Sequence, residues 1–279
     1  MSSISTSFEF FPPKTEALQD ALLKVAGELA PLKPSFVSVT YGAGGTTRGR
    51  THALVDQLQT KFGLKAAAHL TCVGAAQNEI DDIAKDYWAK NIKHIVALRG
   101  DQPDMTGPYV PHPNGYAYAR DLVEGLKKIA AFEISVAAYP EKHPEAKSMA
   151  ADIDNLKRKQ DAGATRAITQ FFFDNNAFLA FCQRAKQSGI TMPIVPGLLP
   201  ISNFEKACEF AGKCGAHVPE NLKHRFEGKT PNTDDFKKVA IDAAIAQGEH
   251  LKKHGIRHFH YYTLNRADLV IPVVKALEG

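Results

Sequence analysis

Short apolar, β-branched or aromatic runs recur along the chain with helix-like segments between them, the pattern of βα units built around a parallel sheet. Eight such runs stand out: Ser7 to Phe11, Phe36 to Tyr41, Ala66 to Cys72, His94 to Leu98, Ile134 to Tyr139, Arg166 to Phe172, Pro193 to Leu199 and His258 to Leu264. Eight is the number that closes a barrel. Between them, Leu18, Leu22, Val25 and Leu29 fall on one helical face, as do Ile80, Ile83 and Tyr87, and later Phe236, Val239, Ala243 and Ala246. Each such stripe can cover the outside of the sheet.

Punctuation agrees with the periods. Ser202-Asn-Phe-Glu205 has the form in which a serine caps an exposed backbone N–H and a glutamate reaches back, so a helix is predicted right after the seventh run. Gly189 and Gly255 sit just past periodic segments and are predicted C-caps. The last connection is long, with room for an extra helix around Glu220 to Phe226 and a turn at Gly228-Lys-Thr-Pro-Asn232. The sequence therefore predicts an α/β fold, a (β/α)8 barrel forming one domain over residues 1–279, with extra helices between strands 7 and 8. The rival is a doubly wound open sheet, which would offer a glycine-rich turn after its first strand, where this chain has Phe10-Phe-Pro-Pro-Lys14.

Composition narrows the class of function. With 44% hydrophobic and 23% charged residues, the chain is an ordinary globular protein and not a disordered one. Its net charge of +4 is spread along the sequence among 30 acidic residues, which argues against a nucleic-acid partner and suits a small anionic ligand. Cys72, Cys182, Cys208 and Cys214 show neither a CxxC pair nor zinc spacing, so they are expected to be reduced thiols. Neither a signal peptide nor an apolar stretch of membrane-spanning length is visible, so no membrane association is expected and the cytoplasm is the expected location.

In a barrel, substrates meet the carboxyl ends of the strands, so polar residues in or just after each apolar run are the candidates. Glu9 interrupts Phe8-Glu-Phe-Phe11 and alternates away from Phe8 and Phe10, into the barrel mouth. An apolar setting would raise its pKa and make it a proton donor near neutrality; the alternative is a structural ion pair with an Arg or Lys. Thr40 and Tyr41 precede Gly42-Ala-Gly-Gly45, where backbone could approach a ligand closely, although the order matches no nucleotide motif. His69 lies on an apolar strand near its end, placed equally well for a core role or a ligand role. Arg99-Gly100-Asp101 follows the fourth run, where the guanidinium could reach a phosphate while the aspartate faces the mouth. Asp152, Asn155 and Lys159 share one helical face, as a merely solvated face also would. Gln170 is an amide at the end of a very apolar strand, a group suited to a flat heterocycle with paired donors and acceptors.

Several longer stretches resemble the bacterial methylenetetrahydrofolate reductases: Phe8-Glu-Phe-Phe-Pro-Pro-Lys14, Ser38-Val-Thr-Tyr-Gly42, Ala68-His-Leu-Thr-Cys72, Leu98-Arg-Gly-Asp101, Ser135 through Lys147, Leu156 through Gly163, Arg166 through Asp174, Pro196 through Phe204 and Tyr262-Thr-Leu-Asn-Arg266. They run in family order over nearly the whole chain. The resemblance implies an FAD-containing barrel that takes hydride from NADH or NADPH, with NADH favoured. It then reduces 5,10-methylenetetrahydrofolate to 5-methyltetrahydrofolate in a ping-pong reaction that supplies methyl groups for methionine synthesis. Glu9 would be the general acid that opens the folate ring, and Asp101 the carboxylate near flavin and pterin. FAD would be met by Thr40, Tyr41, Ala43, His69, Arg99, Gly100, Asp101, Tyr118, Ala119, Tyr139, His143, Ala146, Asp152, Asn155, Arg158 and Lys159. Substrate or nicotinamide would be met by Thr40, Asp101, Gln170, Lys206, Phe210 and Arg266. Lys206 departs from members that present a glutamine there. A homo-oligomer without a regulatory half is the expected assembly, and no metal is implied.

Two other classes stay open on the residues alone. A metal-dependent barrel hydrolase or lyase could use Glu9, His69 and Asp101 as ligands, and a non-catalytic flavin or folate carrier would need no acid at Glu9. A Schiff-base aldolase lacks a clear lysine at any strand end.

Overall fold

In a computed structural model of the chain, residues 3–13, 15–41, 48–101 and 109–279 are described. Strands β1 (Ser5–Phe10), β2 (Phe36–Val39), β3 (Ala66–Thr71), β4 (His94–Leu98), β5 (Glu133–Ala138), β6 (Arg166–Thr169), β7 (Ile194–Val195), β8 (Gly197–Leu198) and β9 (His258–Tyr262) form one parallel sheet. Its order is β7-β6-β5-β4-β3-β2-β1-β9-β8. The strands β1 to β7 neighbour one another in chain order and the last strand, β9, returns to pair with the first, so the sheet is not the doubly wound rival, whose order reverses at a switch point. β7 and β8 are adjacent pieces of one stretch of chain, so the two ends of the order meet and the sheet is a nearly closed barrel.

The predicted seventh run, Pro193 to Leu199, is thus two short strands separated by Pro196, which has no N–H to give to a ladder. Backbone carbonyls at Pro193 and Pro196 still accept from Ala167 N (2.9 Å) on one side and His260 N (3.0 Å) on the other. Gly197 N donates to the Thr169 side chain at 2.9 Å, and the Tyr262 hydroxyl donates to Thr169 O at 2.8 Å. The seam leaves no room for a side chain: a Cβ on Gly197 would lie 2.3 Å from Thr169 O and 2.5 Å from the Tyr262 ring.

Helices α1 (Glu16–Leu29), α2 (Arg48–Phe62), α3 (Gln77–Ala89), α4 (Ala119–Ile129), α5 (Met149–Asp161), α6 (Asn175–Gln187), α7 (Phe204–Cys214), α8 (Glu220–Phe226), α9 (Asp234–Lys253) and α10 (Ala267–Glu278) follow the strands. The extra helix α8 falls where the sequence predicts it, and Gly189 and Gly255 take the left-handed conformation just past α6 and α9. Three local predictions are corrected. Leu18 is 54% exposed, and α1 instead buries Leu22, Ala26 and Leu29. α9 buries Phe236, Ala240, Ala244, Gly248 and Leu251, a face rotated from the predicted Val239, Ala243 and Ala246. An alanine-rich helix offers several stripes of similar hydrophobicity, and close packing selects the one with the smallest residues. The cap of α7 is Asn203 rather than Ser202, its side chain accepting from Lys206 N at 2.9 Å.

Along β1, Phe8 and Phe10 pack with the helices in the main core, while Ser7 and Glu9 face the barrel axis. Inside the barrel, Phe36, Ala67, Val96 and Ile168 form an apolar plug. Beneath it, His94 bonds Ser135 at 2.8 Å, and Arg166 pairs with Glu133 at 2.7 Å. The carboxyl-end mouth is therefore floored by protein, as a packed barrel requires.

Gly197→Ala should cost about 1–3 kcal/mol through overpacking at the seam. The measurement is thermal unfolding, where about 2–4 °C of lowered midpoint is expected for each kcal/mol.

Candidate active site

The strand ends create two settings. One is the axial floor around Glu9. The other is a cavity of about 720 Å³ beside the ends of β4 and β5, walled by α4 and α5.

Glu9 is buried, and its Oε2 lies 3.4 Å from His69 Nε2 and 3.6 Å from His260 Nε2. Burial raises the Glu9 pKa, with the opposing pull of His69 second. Burial also drives His69 down to about 4 and His260 down to about 3, so both rings are neutral at physiological pH. Neutral imidazoles give little Coulomb support to a carboxylate, so burial dominates and shifts Glu9 toward its protonated form. Among the described residues, its ion-pair partners are these two histidines and neither a lysine nor an arginine. His260 Nδ1 lies 2.8 Å from Ser7 Oγ, and Thr263 Oγ1 donates to the Glu9 carbonyl at 2.6 Å. His260 and Ser7 are absent from the sequence prediction. The signal was present in the alternation of His258, His260 and Tyr262 on one face of β9.

The cavity brings together most of the residues the sequence assigns to FAD: Arg99, Gly100, Asp101, Tyr118, Ala119, Tyr139, His143, Ala146, Asp152, Asn155, Arg158 and Lys159 all line it. The shared face predicted on α5 points into it. Lys159 donates to Ala137 O at 3.0 Å, and burial lowers its pKa to about 8 against the opposing pull of Asp152. Asp152 accepts from His143 N at 2.7 Å, and the His143 ring packs edge-on against Tyr139 with centroids 4.5 Å apart. Gly100 has φ +86°, and a Cβ there would lie 2.5 Å from the Val73 side chain. Arg99 forks onto Glu145 with both terminal nitrogens and lies 4.5 Å above the Tyr109 ring. Glu145, absent from the predicted set, sits within the motif quoted for the family, yet its partner is 46 residues away, beyond any local signal.

The remaining candidates divide. His69 faces Glu9, and Thr40 is half-buried at the end of β2, its N–H bonded to Phe10 O at 2.9 Å. Tyr41 is half-buried and Ala43 lies outside the described residues. Gln170 is more satisfied than its sequence setting suggests: Oε1 accepts from Phe171 N at 2.9 Å and Nε2 contacts Cys214 Sγ at 3.2 Å. Phe210, 59% exposed on α7, overhangs the Phe171 ring at 6.4 Å, with exposed Lys206 one turn earlier. Arg266 is held by Asp268 (2.7 Å) and Asn232 (3.2 Å). Among the described residues, no group of three or more His, Cys, Asp or Glu side chains is arranged to hold a metal ion.

A nearly closed parallel barrel with a buried acid at the base of its mouth, beside a cation-bearing and tyrosine-bearing cavity, defines a (β/α)8-barrel enzyme whose ligands enter at the strand carboxyl ends. The sequence model of the methylenetetrahydrofolate reductase family matches residues 1–278, and the chain belongs to that family, whose members are oxidoreductases. It is 47% identical over 274 residues to the 5,10-methylenetetrahydrofolate reductase of Escherichia coli strain K12, covering 98% of this chain and 90% of that one. It is 36% identical over 270 residues to methylenetetrahydrofolate reductase (NADH) 1 of Arabidopsis thaliana, covering 93% of this chain and 46% of that protein. Among solved structures, an uncharacterized Clostridium thermocellum protein that binds two copies of 5-methyl-5,6,7,8-tetrahydrofolic acid superposes with a TM-score of 0.65 at 12% identity. That match covers 99% of this chain and 94% of the other, a likeness of fold.

Glu9 binds its proton more tightly folded than unfolded, so the stability it contributes is full below the unfolded carboxyl pKa and is lost as pH rises through the raised folded value. Glu9→Gln is therefore expected to melt above the parent protein at neutral pH, with a gap that widens as pH rises. Thermal unfolding of both proteins across pH 5–9 checks this, and equal midpoints throughout would count against a raised Glu9 pKa.

Proposed function

We propose that the protein reduces 5,10-methylenetetrahydrofolate to 5-methyltetrahydrofolate, with FAD held in the cavity beside β4 and β5 and NADH as the hydride donor, in a ping-pong sequence. The observation that carries this reading is a strand-end cavity lined by Arg99, Tyr139, Arg158 and Lys159, whose donors suit a dinucleotide, in a barrel whose axis holds the buried Glu9. The cavity fits FAD on its own chemistry. Lys159 and Arg158 supply positive charge for a pyrophosphate, and Tyr118 and Tyr139 offer flat apolar surface. When bound, a flavin supplies hydride transfer, chemistry that no side chain of this chain can perform.

The chain's own residues would then position groups and manage protons. Glu9 gives its proton to the amine nitrogen of the folate's five-membered ring as the C–N bond breaks, which leaves an iminium whose carbon accepts hydride. Asp101, exposed at the end of β4, favours the positive iminium through space. Gln170 keeps one amide N–H and a lone pair for pterin or nicotinamide, and Phe210 offers a ring face above the same place. Lys206 and Arg266 stand at the rim, where a folate carboxylate would lie. NADH is favoured because no paired arginines are evident for a 2′-phosphate and a plant relative carries NADH in its name. A cytoplasmic homo-oligomer remains the expected form, and no helix among the described residues is long and apolar enough to cross a membrane.

The test is an anaerobic spectrum of the purified protein. A flavin band should bleach with NADH and return on addition of methylenetetrahydrofolate. Protein that cannot be charged with FAD would overturn the reading. Glu9→Gln should keep the bleaching step while its return slows by about 10²-fold or more. Lys159→Met should weaken FAD retention by roughly tenfold, the scale of one charge-assisted contact, as read by equilibrium dialysis.

A further inference from the structure

The backbone ladder between β1 and β9 ends at the pair Glu9 and Tyr262, yet the two chains stay joined beyond it. The carboxamide of Asn265 spans Phe11: Oδ1 accepts from Phe11 N at 3.0 Å and Nδ2 donates to Phe11 O at 2.9 Å. These are the two bonds that a neighbouring strand's peptide would make, so the side chain adds one rung to the ladder just past the acid. Reaching this position requires a tight reversal, with Leu264 and Asn265 both left-handed at φ 49° and 56°. Asparagine tolerates that conformation and leucine does not, so the turn must be held by its contacts. Thr263 supplies the other grip, its N and Oγ1 both donating to Glu9 O at 3.3 and 2.6 Å, while Oγ1 accepts from Asn265 N at 3.1 Å. Arg266 N then bonds Thr263 O at 2.9 Å, which ties the rim arginine to the same unit.

We infer that Asn265 is a positioning residue: by clamping Phe11, two residues past Glu9, it fixes the depth at which the Glu9 carboxyl sits and the start of the turn that carries Arg266. The inference rests on the proposed function only in naming Glu9 the acid. Among the described residues, the groups that face Glu9 are His69 from β3 and His260 and Tyr262 from β9, and the Tyr262 hydroxyl is bonded to Thr169 on β6. The clamp itself lies at the rim, where Phe11 is 37% and Leu264 41% exposed, so water can replace the amide when it is removed.

The experiment compares the parent protein, Asn265→Ala and Asn265→Asp, the last keeping only the acceptor half of the clamp. Carboxyl NMR with labelled glutamate, assigned by the signal lost in Glu9→Gln, reads the Glu9 titration, and hydrogen exchange reads the Phe11 amide. In Asn265→Ala the Glu9 titration should fall by about 1 pH unit toward an ordinary carboxylate, part of what burial can impose. The Phe11 amide should exchange at least about tenfold faster, with Asn265→Asp intermediate in both. In the charged enzyme, NADH bleaching should stay near the parent rate while the alkaline limb of folate reduction moves to lower pH. A Glu9 titration unchanged in both variants would overturn the inference, as would an equal loss in the two half-reactions. If the parent protein cannot reduce the folate at all, the proposed function falls, and the Glu9 titration still decides this inference.

Discussion

The structure is organised around a carboxyl group placed where water is scarce and where, among the described residues, no lysine or arginine compensates it. Glu9 lies on a strand buried on both faces, with two imidazoles that burial itself keeps neutral. A lysine or arginine at either histidine position would have produced a stable ion pair and an ionised, chemically idle carboxylate. Neutral histidines instead let burial raise the hold of the acid on its proton, at some expense of stability, as active sites commonly do.

That arrangement depends on the barrel being closed. β9 brings His260 and Tyr262 against β1 only because the chain around Pro196 bridges β6 and β9, accepting on both sides although it cannot donate at the proline. Gly197 permits the two flanks to approach, and Thr169 and Tyr262 bond across the gap with side chains where ladder bonds are missing. The seam and the acid are therefore coupled, since Tyr262 takes part in both.

The cavity beside β4 and β5 obeys the opposite electrostatic logic. Its cations are partly solvated and tethered: Arg99 by Glu145, Lys159 by a strand carbonyl and the charge of Asp152. Tethers of this kind hold positive charge in place without neutralising it fully, the condition for meeting an anionic ligand with little reorganisation. The acid thus sits in a dry, uncharged setting, and the cavity is a wet, charged one.

The sequence by itself determined what depends on local period. It contained the eight βα runs and their order, the inward direction of Glu9 by alternation with Phe8 and Phe10, the shared face of Asp152, Asn155 and Lys159, and the extra helix at Glu220–Phe226. Its local errors came where period is ambiguous, as in the alanine-rich α9, or where two capping residues adjoin, as at Ser202 and Asn203. Tertiary structure alone decided the partners: Gln170 with Cys214 across 44 residues, Arg99 with Glu145 across 46, and Asn265 with Phe11 across 254. Closing the barrel sets those distances, and a one-dimensional pattern contains no measure of how far apart two strand ends will lie once the sheet has curled to meet itself.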